Sequence, residues 1–491
     1  MLTADLRSPA RSSRRLSFAL GSTLAAAAVF LAGCAGTCDE WPADPASRRA
    51  VRRTHEAAVI ERCWPSIVDL AITRGPSDNP FGNIGAGSII HESGFIVTND
   101  HVVGLGRDGV AYLHDRTPYG FRKIVLVPDD DLAIIKIDRA EPFIPIPIGR
   151  TDDLIVGEPA IVIGNPLGLA HTASIGHISA LQRVFMGTGT PIPGMIQTDA
   201  AVNHGNSGGA LINALGELIG VVTNSANEGE NVNLSNSTDR ACVAIVEKLD
   251  AEARYGIRLG LTVDAVGPAK VSAVAAGCPA EKAGLRVGDV ITRVGTMSVR
   301  YGVHFYLGLV DRKPGEQLPI EVLRGRRKMT FTATLGSVPA RPAVQADGLV
   351  TGIHYEACKG AWSQLPDFDE LKPTESGKTD KFSVAAYKDE DRDNFGLRFT
   401  AYLKAPDDGL YEFHLTSDDG SRLYIGEQLV IDNDGLHAAS ARTGKLRLKA
   451  GLHPVTLVYF ERNGGETLRL LWERPGGHRC EFMDGDLFTR P

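Results

Sequence analysis

Three residue types that cooperate in acyl transfer, a serine, a histidine and an aspartate, occur in informative surroundings along this chain of 491 residues. Ser207 stands between glycines in the segment 203–209, Asn-His-Gly-Asn-Ser-Gly-Gly, just before the apolar run Ala210-Leu211-Ile212. A serine in such a turn exposes its hydroxyl, and the flexible backbone can point successive N–H groups at one spot. Acyl transfer needs this combination of nucleophile and oxyanion hole. A glycine-rich turn without catalytic function could have the same sequence. The surroundings of the histidine and the aspartate therefore decide whether Ser207 is interpreted as a nucleophile.

His101 follows the apolar run 95–97 and the polar residues 98–100, and Asp131 opens the apolar run 132–135. An aspartate at the start of a buried strand can be partly buried and can orient an imidazole. A histidine packed in a core and a solvated aspartate at a strand end are the alternatives. The chain order His, Asp, Ser is that of the chymotrypsin-type triad, in which the histidine takes the serine proton.

At this point the sequence resembles the HtrA (Deg) family of trypsin-like serine proteases. The resemblance rests on four motifs in order, namely residues 94–103, 131–137, 163–169 with 176–181, and 205–211. It implies that His101 is the general base, that Asp131 orients it and that Ser207 is the nucleophile. The backbone amides of Gly205 and Ser207 would form the oxyanion hole. Catalysis of this kind requires no cofactor.

The sequence departs from the family pattern in three places near the serine. His204 stands where the family usually has proline, and a polar loop covers residues 223–240. The strand that carries Gly-Phe-Ala-Ile-Pro in the family is expected at residues 241–246, Ala-Cys-Val-Ala-Ile-Val. Because this region shapes the primary specificity pocket in the family, the resemblance does not fix which side chain precedes the cleaved bond.

Length and composition favour about three ordinary globular domains rich in β-structure. The chain is 43% apolar and 23% charged, carries a net charge of −7 and has 54 glycines. It has no basic footprint, so nucleic acid is not an expected partner. The resemblance to known families implies a fold class that is mainly β. It consists of a chymotrypsin-like double β-barrel over residues 56–255 with a helical tail, then a PDZ domain and a protective-antigen-like β-barrel or sandwich.

The N-terminus has the features of an export signal. Arginines precede an apolar stretch at 16–32, and Leu-Ala-Gly-Cys ends at Cys34. This resembles a bacterial lipobox, which predicts a signal peptide over 1–33, lipidation of Cys34 and a tether over 34–55. A plain secretory peptide is the alternative. Ala35 after the cysteine favours the outer membrane, so we expect a lipoprotein of the cell envelope that faces the periplasm or the cell surface.

Export makes disulfides chemically permissible. Of the seven cysteines, six remain if Cys34 is acylated. Cys358 and Cys480 bracket the last domain and are the expected pair. The chain contains no Cys-x-x-Cys sequence, so no zinc site or thioredoxin-like motif is expected.

Residues 256–337 resemble the PDZ domain that follows the protease in HtrA proteins, on Pro279-Ala-Glu-Lys-Ala-Gly-Leu285 and Gly288-Asp-Val-Ile291. A PDZ groove adds a peptide as an extra strand and captures its carboxylate with backbone N–H groups. By position the carboxylate loop is Leu259, Gly260 and Leu261, and a helix from about 303 to 310 forms the other wall. A purely structural PDZ domain is the alternative. Residues 338–345 are the linker that follows.

Residues 346–491 alternate apolar and polar positions through several strands and resemble the protective-antigen-type domain, which often binds carbohydrate. Its most diagnostic turn is Ser417-Asp418-Asp419-Gly420-Ser421. In one branch of that family a paired aspartate at this turn holds calcium beside the sugar, so Asp418 and Asp419 are candidate calcium and glycan ligands. In other branches the pair only caps the turn.

Together these features predict an exported, lipid-anchored serine endopeptidase that degrades unfolded or damaged envelope proteins. Its expected partners are unfolded proteins or peptides, the membrane through the lipid anchor, carbohydrate and, by resemblance, two further copies in a homotrimer. A non-catalytic adhesin or holdase that uses the protease fold as a scaffold is an alternative. A glycoside hydrolase is a second, but no carboxylate pair stands in a recognisable catalytic setting.

Overall fold

A computed structural model describes residues 44–73, 83–104, 108–165, 172–186, 191–203, 205–225, 232–387 and 393–491. The chain divides into two units, Met1–Ala57 and Ala58–Pro491. In the first, the helix Pro45–Arg52 (α1) begins after Asp44, whose side chain accepts hydrogen bonds from two backbone amides, and none of its residues is buried. The predicted signal peptide and Cys34 lie outside the described residues. Within the described ranges no helix is long and apolar enough to cross a membrane.

The first half of residues 56–255 is a seven-stranded antiparallel sheet in the order β5-β4-β1-β2-β3-β7-β6, which corresponds to the first of the two predicted barrels and is named the first barrel. Helix His55–Cys63 (α2) and a 3₁₀ turn, Trp64–Ser66, precede its first strand. The helix Asp100–Val103 (α3) follows the third strand. Its strands are Ile67–Thr73 (β1), Asn83–Ile89 (β2), Phe95–Thr98 (β3), Asp108–Tyr112 (β4), Pro118–Gly120 (β5), Arg122–Val127 (β6) and Leu132–Lys136 (β7).

The second half is a closed six-stranded barrel in the order β10-β13-β12-β11-β8-β9. Many of the buried residues of its strands are branched aliphatic residues, which favour β-strands because they pack well on a pleated surface. They are Pro159–Gly164 (β8), Thr172–Phe185 (β9), Ile192–Thr198 (β10), Ala210–Asn213 (β11), Leu218–Ser225 (β12) and Asn233–Ser237 (β13).

The prediction of a strand at residues 241–246 is wrong, because these residues lie in the helix Thr238–Leu249 (α4). The barrel strand is β13, immediately before it. Ser237 is the N-cap of α4 and accepts a hydrogen bond from the amide of Arg240, so the helix starts at this point. The run Ala-Cys-Val-Ala-Ile-Val is apolar enough for a strand, but its buried residues fall on one helical face. A short helix, Ala251–Tyr255 (α5), continues the chain.

The next region has the arrangement expected of a small β-domain with two short helices. One continuous apolar cluster joins it to the second barrel and includes Ile245 of α4 and Phe305. Its sheets have the orders β14-β21, β15-β16 and β18-β17-β19-β20. Its elements are Ile257–Arg258 (β14), Leu261–Val263 (β15), Val271–Val274 (β16), Pro279–Ala283 (α6), Val290–Val294 (β17), Met297–Ser298 (β18), Gly302–Leu307 (α7), Gln317–Arg324 (β19), Arg327–Thr334 (β20) and Gly336–Ser337 (β21).

The C-terminal region consists of an eight-stranded and a three-stranded sheet, the latter in the order β29-β26-β31. Large aromatic side chains fill the core, among them Phe399, Tyr411 and Trp472. Its strands are Val350–Thr351 (β22), Ile353–Lys359 (β23), Glu375–Thr379 (β24), Phe395–Ala405 (β25), Gly409–Ser417 (β26), Ser421–Ile425 (β27), Gln428–Asn433 (β28), Ser440–Leu448 (β29), Gly451–Glu461 (β30), Leu468–Glu473 (β31) and Leu487–Thr489 (β32). The predicted fold class, mainly β, is confirmed.

The predicted disulfide between Cys358 and Cys480 is wrong, since both are free thiols. Cys358 lies on β23, in the eight-stranded sheet. Cys480 pairs through its backbone with Trp472 of β31, in the three-stranded sheet. The two cysteines bracket the domain in sequence, but the strands that carry them belong to different sheets.

Candidate functional site

His101 lies in α3, directly after the polar end of β3, and its ring faces Asp131. Its Nδ1 is 2.9 Å from Oδ1 and 2.8 Å from Oδ2 of Asp131. The backbone N–H of His101 also donates to Asp131 Oδ1 at 3.0 Å. Since a carboxylate only accepts, Nδ1 carries a hydrogen and Nε2 of the neutral ring is the basic nitrogen. The half-exposed side chain leaves room for a substrate.

Asp131 adopts the left-handed conformation, with φ 50° and ψ 47°, at the end of the 3₁₀ turn Pro128–Asp130. This conformation costs a non-glycine residue about 1–3 kcal/mol and persists where neighbours hold it. The side-chain amide of Asn99 donates to the Asp131 carbonyl oxygen at 2.7 Å. Thr223 Oγ1 donates to Asp131 Oδ2 at 2.5 Å. Asn99 thus holds the main chain of Asp131 and Thr223 holds its carboxylate, and together they orient the carboxylate towards His101.

The rest of the turn that precedes Asp131 is attached to the second barrel. The guanidinium of Arg240 donates to both carboxylate oxygens of Asp130, at 2.6 and 2.8 Å. Asn236 donates its side-chain amide to the Asp130 carbonyl oxygen at 2.7 Å. The two barrels are therefore joined at the residue next to the acid of the candidate triad.

Ser207 stands in the turn between β10 and β11. Its hydroxyl donates to the carbonyl oxygen of Thr223 at 3.1 Å. Its own carbonyl oxygen accepts from the amide of Ala86 on β2, at 2.9 Å. Gly208 has φ +81°, and a Cβ there would lie 2.2 Å from Ala86 O and 2.2 Å from Thr98 Oγ1. Only glycine allows the two barrels to approach this closely at the serine.

The turn leaves two amides available next to the serine. Asn206 N–H donates to the Asn203 carbonyl oxygen at 3.0 Å, and Gly209 N–H donates to that of Asn206 at 2.9 Å. Gly205 has φ +100°. Among the hydrogen bonds between described residues, none uses the N–H of Gly205 or of Ser207 as a donor. These are the two amides predicted for the oxyanion hole. His204, the departure from the family pattern, lies outside the described residues.

The surroundings of His101 favour the protonated imidazole more than water does for a free histidine side chain. Burial lowers the pKa of His101, but the hydrogen bond to Asp131 and the charges of Asp131 and Asp100 outweigh it, so the pKa is raised above its ordinary value. Burial raises the pKa of the adjacent Asp100 to about 6.

The sequence interpretation missed Asn99 and Thr223. The only sequence signal for Thr223 is a hydroxyl residue within the otherwise apolar start of β12. Asn99 lies two positions before His101, but the local sequence does not indicate that its side chain binds the main chain of Asp131, 32 positions later.

In the predicted peptide-binding loop, Leu259 and Gly260 lie between β14 and β15, and Leu261 begins β15. Gly260 has φ +81°. Two amides of this loop are already engaged, because Glu252 Oε1 in α5 accepts from Leu259 N–H at 3.1 Å and from Gly260 N–H at 2.6 Å. The helix that faces β15 is α7, shorter than the predicted 303–310. From it, Tyr306 accepts from Val263 N–H at 3.0 Å and donates to Val263 O at 2.8 Å.

Asp418 and Asp419 are close to a third carboxylate, Glu461 at the end of β30, with ligand atoms within 4.8 Å of one another. Asp419 accepts from the amides of His437 and Arg462, at 3.1 and 3.0 Å. The Glu461 carboxylate accepts from Tyr459 OH at 2.9 Å, and its other oxygen, Oε1, is buried without a hydrogen-bond partner. Burial and the two aspartates raise the pKa of Glu461 to about 7. Asp419 therefore caps the turn, and Asp418, Asp419 and Glu461 together form a group of carboxylates that could hold a cation.

Comparison with known families agrees with this geometry. Residues 85–221 match the family model described as the trypsin-like peptidase domain, and residues 270–324 match that of the PDZ domain. Residues 346–486 match the family model of the PA14 domain.

Among individual proteins, the chain is 35% identical to Protease Do-like 1, chloroplastic, of Arabidopsis thaliana over 280 residues, 52% of this chain and 64% of that one. It is 31% identical to HhoA of Synechocystis sp. over 372 residues, 65% of this chain and 94% of HhoA. It is 30% identical to the serine endoprotease DegS of Escherichia coli over 309 residues, 57% of this chain and 85% of DegS. With nearly the full length of HhoA and most of DegS covered, the chain belongs to the HtrA/Deg family of trypsin-like serine endopeptidases with a PDZ domain.

Proposed function

We propose that the chain is a serine endopeptidase of the bacterial cell envelope that hydrolyses unfolded or damaged proteins, with His101, Asp131 and Ser207 as its catalytic triad. One chain of hydrogen bonds carries this proposal. His101 binds Asp131 through Nδ1, Asp131 accepts from the Thr223 hydroxyl, and the Thr223 carbonyl oxygen accepts from Ser207. The base, the acid and the nucleophile therefore converge on one residue of β12.

The chemistry follows from this arrangement. Ser207 Oγ leaves the Thr223 carbonyl oxygen, gives its proton to His101 Nε2 and attacks the peptide carbonyl carbon. The amides of Gly205 and Ser207 stabilise the negative oxygen of the tetrahedral intermediate. His101 then protonates the leaving amine, and water, activated by the same imidazole, hydrolyses the acyl-enzyme. Asp131 keeps Nδ1 protonated and stabilises the imidazolium.

The remaining regions would control which proteins reach this site. We place the protease domain at residues 56–255, the PDZ domain at 256–337, a linker at 338–345 and the C-terminal domain at 346–491. The PDZ groove would bind chain ends of unfolded proteins through Leu259, Gly260 and Leu261. Residues 1–33 would be a signal peptide and 34–55 a tether, with lipidated Cys34 holding the enzyme at the outer membrane. The family resemblance also favours a homotrimer.

For the C-terminal domain we propose calcium-dependent glycan binding at Asp418 and Asp419, with Glu461 as a third ligand. The observation that favours it is Glu461 Oε1, a buried oxygen with no hydrogen-bond partner beside two further carboxylates. Carboxylate oxygens are the ligands that calcium prefers. Wild type and Glu461→Gln would be compared by calorimetric titration with calcium alone, then with cell-wall polysaccharide. Equal calcium affinity of the two proteins would reject the site.

The protease proposal is tested with the full-length chain in detergent and unfolded casein as substrate. Cleavage by the wild type and none by Ser207→Ala is the expected result. If neither protein cleaves casein while both unfold at the same temperature, the result contradicts the peptidase proposal. It would then support the alternative of a non-catalytic adhesin or holdase. Lipidation is tested separately by incorporation of labelled palmitate, which Cys34→Ser should abolish.

A further inference from the structure

The C-terminal domain contacts the protease at the two short elements that carry His101 and Asp131. The contact is made by the loop 474–479, which follows β31. Trp472 and Cys480 close the base of this loop by reciprocal backbone hydrogen bonds of 3.1 and 2.9 Å. His478 and Arg479, at the end of the loop, both face the protease.

His478 binds the end of the histidine-bearing helix. Its Nε2 is 2.6 Å from the carbonyl oxygen of Gly104, which terminates α3 three positions after His101. The carbonyl oxygen can only accept, so Nε2 of His478 carries the hydrogen. Lys123 Nζ donates to the same oxygen at 2.7 Å. A Cβ at Gly104 would lie 2.6 Å from His478 Cε1, which shows how closely the ring covers this helix end.

Arg479 binds the turn that ends at Asp131. Its Nη2 donates to Asp129 Oδ2 at 2.8 Å, and Asp129 lies in the 3₁₀ turn that places Asp131 in its left-handed conformation. The side chains are 29% and 47% exposed, so this ion pair contributes little to the free energy of unfolding. Its effect is on the position of the turn, which the second barrel holds from its other side through Arg240 and Asp130.

The loop is itself attached to the protease by a buried charge cluster. Lys248, in α4, donates to Glu412 at 2.8 Å and to Glu473 at 2.7 Å, and all three side chains are at most 14% exposed. On the other side of the loop, Arg474 donates to both carboxylate oxygens of Asp486 at 2.9 Å. His478 and Arg479 therefore approach α3 and the 3₁₀ turn from a fixed base.

We propose that His478 and Arg479 are positioning residues of the peptidase, through which the C-terminal domain sets the relative placement of His101 and Asp131. This inference rests on the proposed catalytic roles of that pair. Displacements on the order of 1 Å at a catalytic group can lower the rate about a hundredfold. Because both residues act through α3 and the 3₁₀ turn, their loss should lower kcat and leave KM unchanged.

The experiment compares full-length variants in detergent on a short chromogenic peptide, which needs neither the PDZ domain nor the C-terminal domain for binding. Arg479→Gln and His478→Phe should each lower kcat about tenfold with KM changed less than about twofold. The matched control is Arg469→Gln, which breaks an exposed ion pair with Glu481 in the same domain and should keep wild-type kcat. His478→Gln, which retains a donor, and the charge exchange Asp129→Arg with Arg479→Asp should recover most of the activity.

The rate at which a fluorophosphonate labels Ser207 provides the same comparison without turnover. It separates this inference from the proposed function, since labelling of wild type and not of Ser207→Ala establishes the reactive serine independently. Wild-type kcat and labelling rate in both Arg479→Gln and His478→Phe, at unchanged unfolding temperature, would overturn the inference. An unlabelled wild type would overturn both.

A different observation carries a second inference, about the PDZ groove. The carboxylate of Glu252 occupies the amides of Leu259 and Gly260, the position predicted for the carboxylate of a peptide end. Tyr306 at the same time satisfies both backbone groups of Val263 on β15. The other edge of β15 pairs with β16, so this is the edge that a peptide strand would use.

We infer that Glu252 is an internal ligand of the carboxylate loop, which a peptide must displace in order to bind. This inference rests on the proposed peptide-binding role of the PDZ domain. Glu252 lies in the short helix α5 that joins the protease to the PDZ domain, so displacement would remove one contact between this helix and the PDZ domain.

The probe is a fluorescein-labelled decapeptide that ends in valine with a free carboxylate, together with its C-terminal amide, measured by anisotropy. Glu252→Ala should bind the free acid about tenfold more tightly than wild type, a gain of about 1.4 kcal/mol. The control is Glu321→Ala, which removes a carboxylate paired with Lys328 on the sheet of the same domain. Equal affinity of Glu252→Ala and wild type, with the acid still preferred over the amide, would overturn this inference alone. No preference for the acid in any protein would overturn the peptide-binding role itself.

Discussion

Thr223 donates its hydroxyl hydrogen to Asp131 Oδ2 across 2.5 Å, from a strand of the second barrel to a turn of the first. A hydrogen bond to a charged group contributes about 1.5–3 kcal/mol. Thr223→Val removes the donor and keeps the shape, so we expect kcat/KM to fall at least about tenfold. Peptide hydrolysis is the measurement. Thr223→Ser retains the hydroxyl and is the matched control, and equal activity of the two variants would show that this bond does not position Asp131.

The raised pKa of His101 predicts the acid side of the pH profile. The imidazole must be neutral to accept the Ser207 proton, so kcat/KM should rise with pH, with a midpoint above the ordinary histidine value of about 6.5. Asp131→Asn removes the charge that raises this pKa and also disfavours the reactive tautomer. We expect about a 10⁴-fold loss and a midpoint moved to lower pH.

The control for this profile is Asp138→Asn, an exposed acid paired with Lys136. It should leave the midpoint in place. An unchanged pH midpoint of kcat/KM in Asp131→Asn as well would mean that a group other than His101 determines the pH dependence.

Gly208 should tolerate no side chain. Its φ is +81°, and a Cβ would meet Ala86 O and Thr98 Oγ1, each at 2.2 Å, so Gly208→Ala forces the two barrels apart. Gly157→Ala is the matched control, since Gly157 has φ +95° and no atom lies within 4 Å of the position that its Cβ would take. We expect the control to lose about 1 kcal/mol from backbone strain alone, and Gly208→Ala to lose several times more, by calorimetry. Equal losses would contradict the steric argument.

The catalytic candidates could be found from sequence because each stands in a contiguous motif. His101, Asp131 and Ser207 follow or open apolar strands, and the order of these motifs predicted the fold class, which is confirmed, and the candidate triad. The strand expected at 241–246 failed for a local reason: an apolar run of six residues suits a strand or one face of a helix, and the cap at Ser237 decided the outcome.

Other features could not be predicted, because they depend on how separate elements meet in the folded chain. Arg479 meets Asp129 across 350 positions, and neither residue lies in a motif. Glu252 is close to Gly260 in sequence, yet only the folded turn between α5 and β15 brings its carboxylate to those amides. Local patterns determine elements and motifs, whereas contacts between domains depend on how complete surfaces fit.

A pair of buried histidines between the protease and PDZ regions predicts how stability depends on pH. His304 in α7 packs edge-to-face on His91, with ring centroids 4.8 Å apart. Burial, with a smaller contribution from His91, lowers the pKa of His304 to about 3, and burial also lowers that of His91. In the unfolded chain both titrate near about 6.5. At these two residues the native state therefore binds fewer protons than the unfolded chain below that pH, and their contribution to stability is lost as the pH falls from about 6.5 towards 3.

We expect the free energy of unfolding to fall by up to about 1.4 kcal/mol per pH unit for each of these histidines between about pH 6 and pH 5. His304→Phe keeps an aromatic ring at this position and removes one titrating group, so its slope should be shallower. Urea unfolding at about pH 7, 6 and 5 measures both proteins. Burial raises the pKa of Glu473, but its contacts with His414 and Lys248 outweigh burial and hold that pKa at about 2. Because a glutamate of the unfolded chain titrates at about 4.3, the slope from this carboxylate develops mainly below about pH 5 and is the same in both proteins. The same slope in His304→Phe and wild type would place the pH dependence elsewhere.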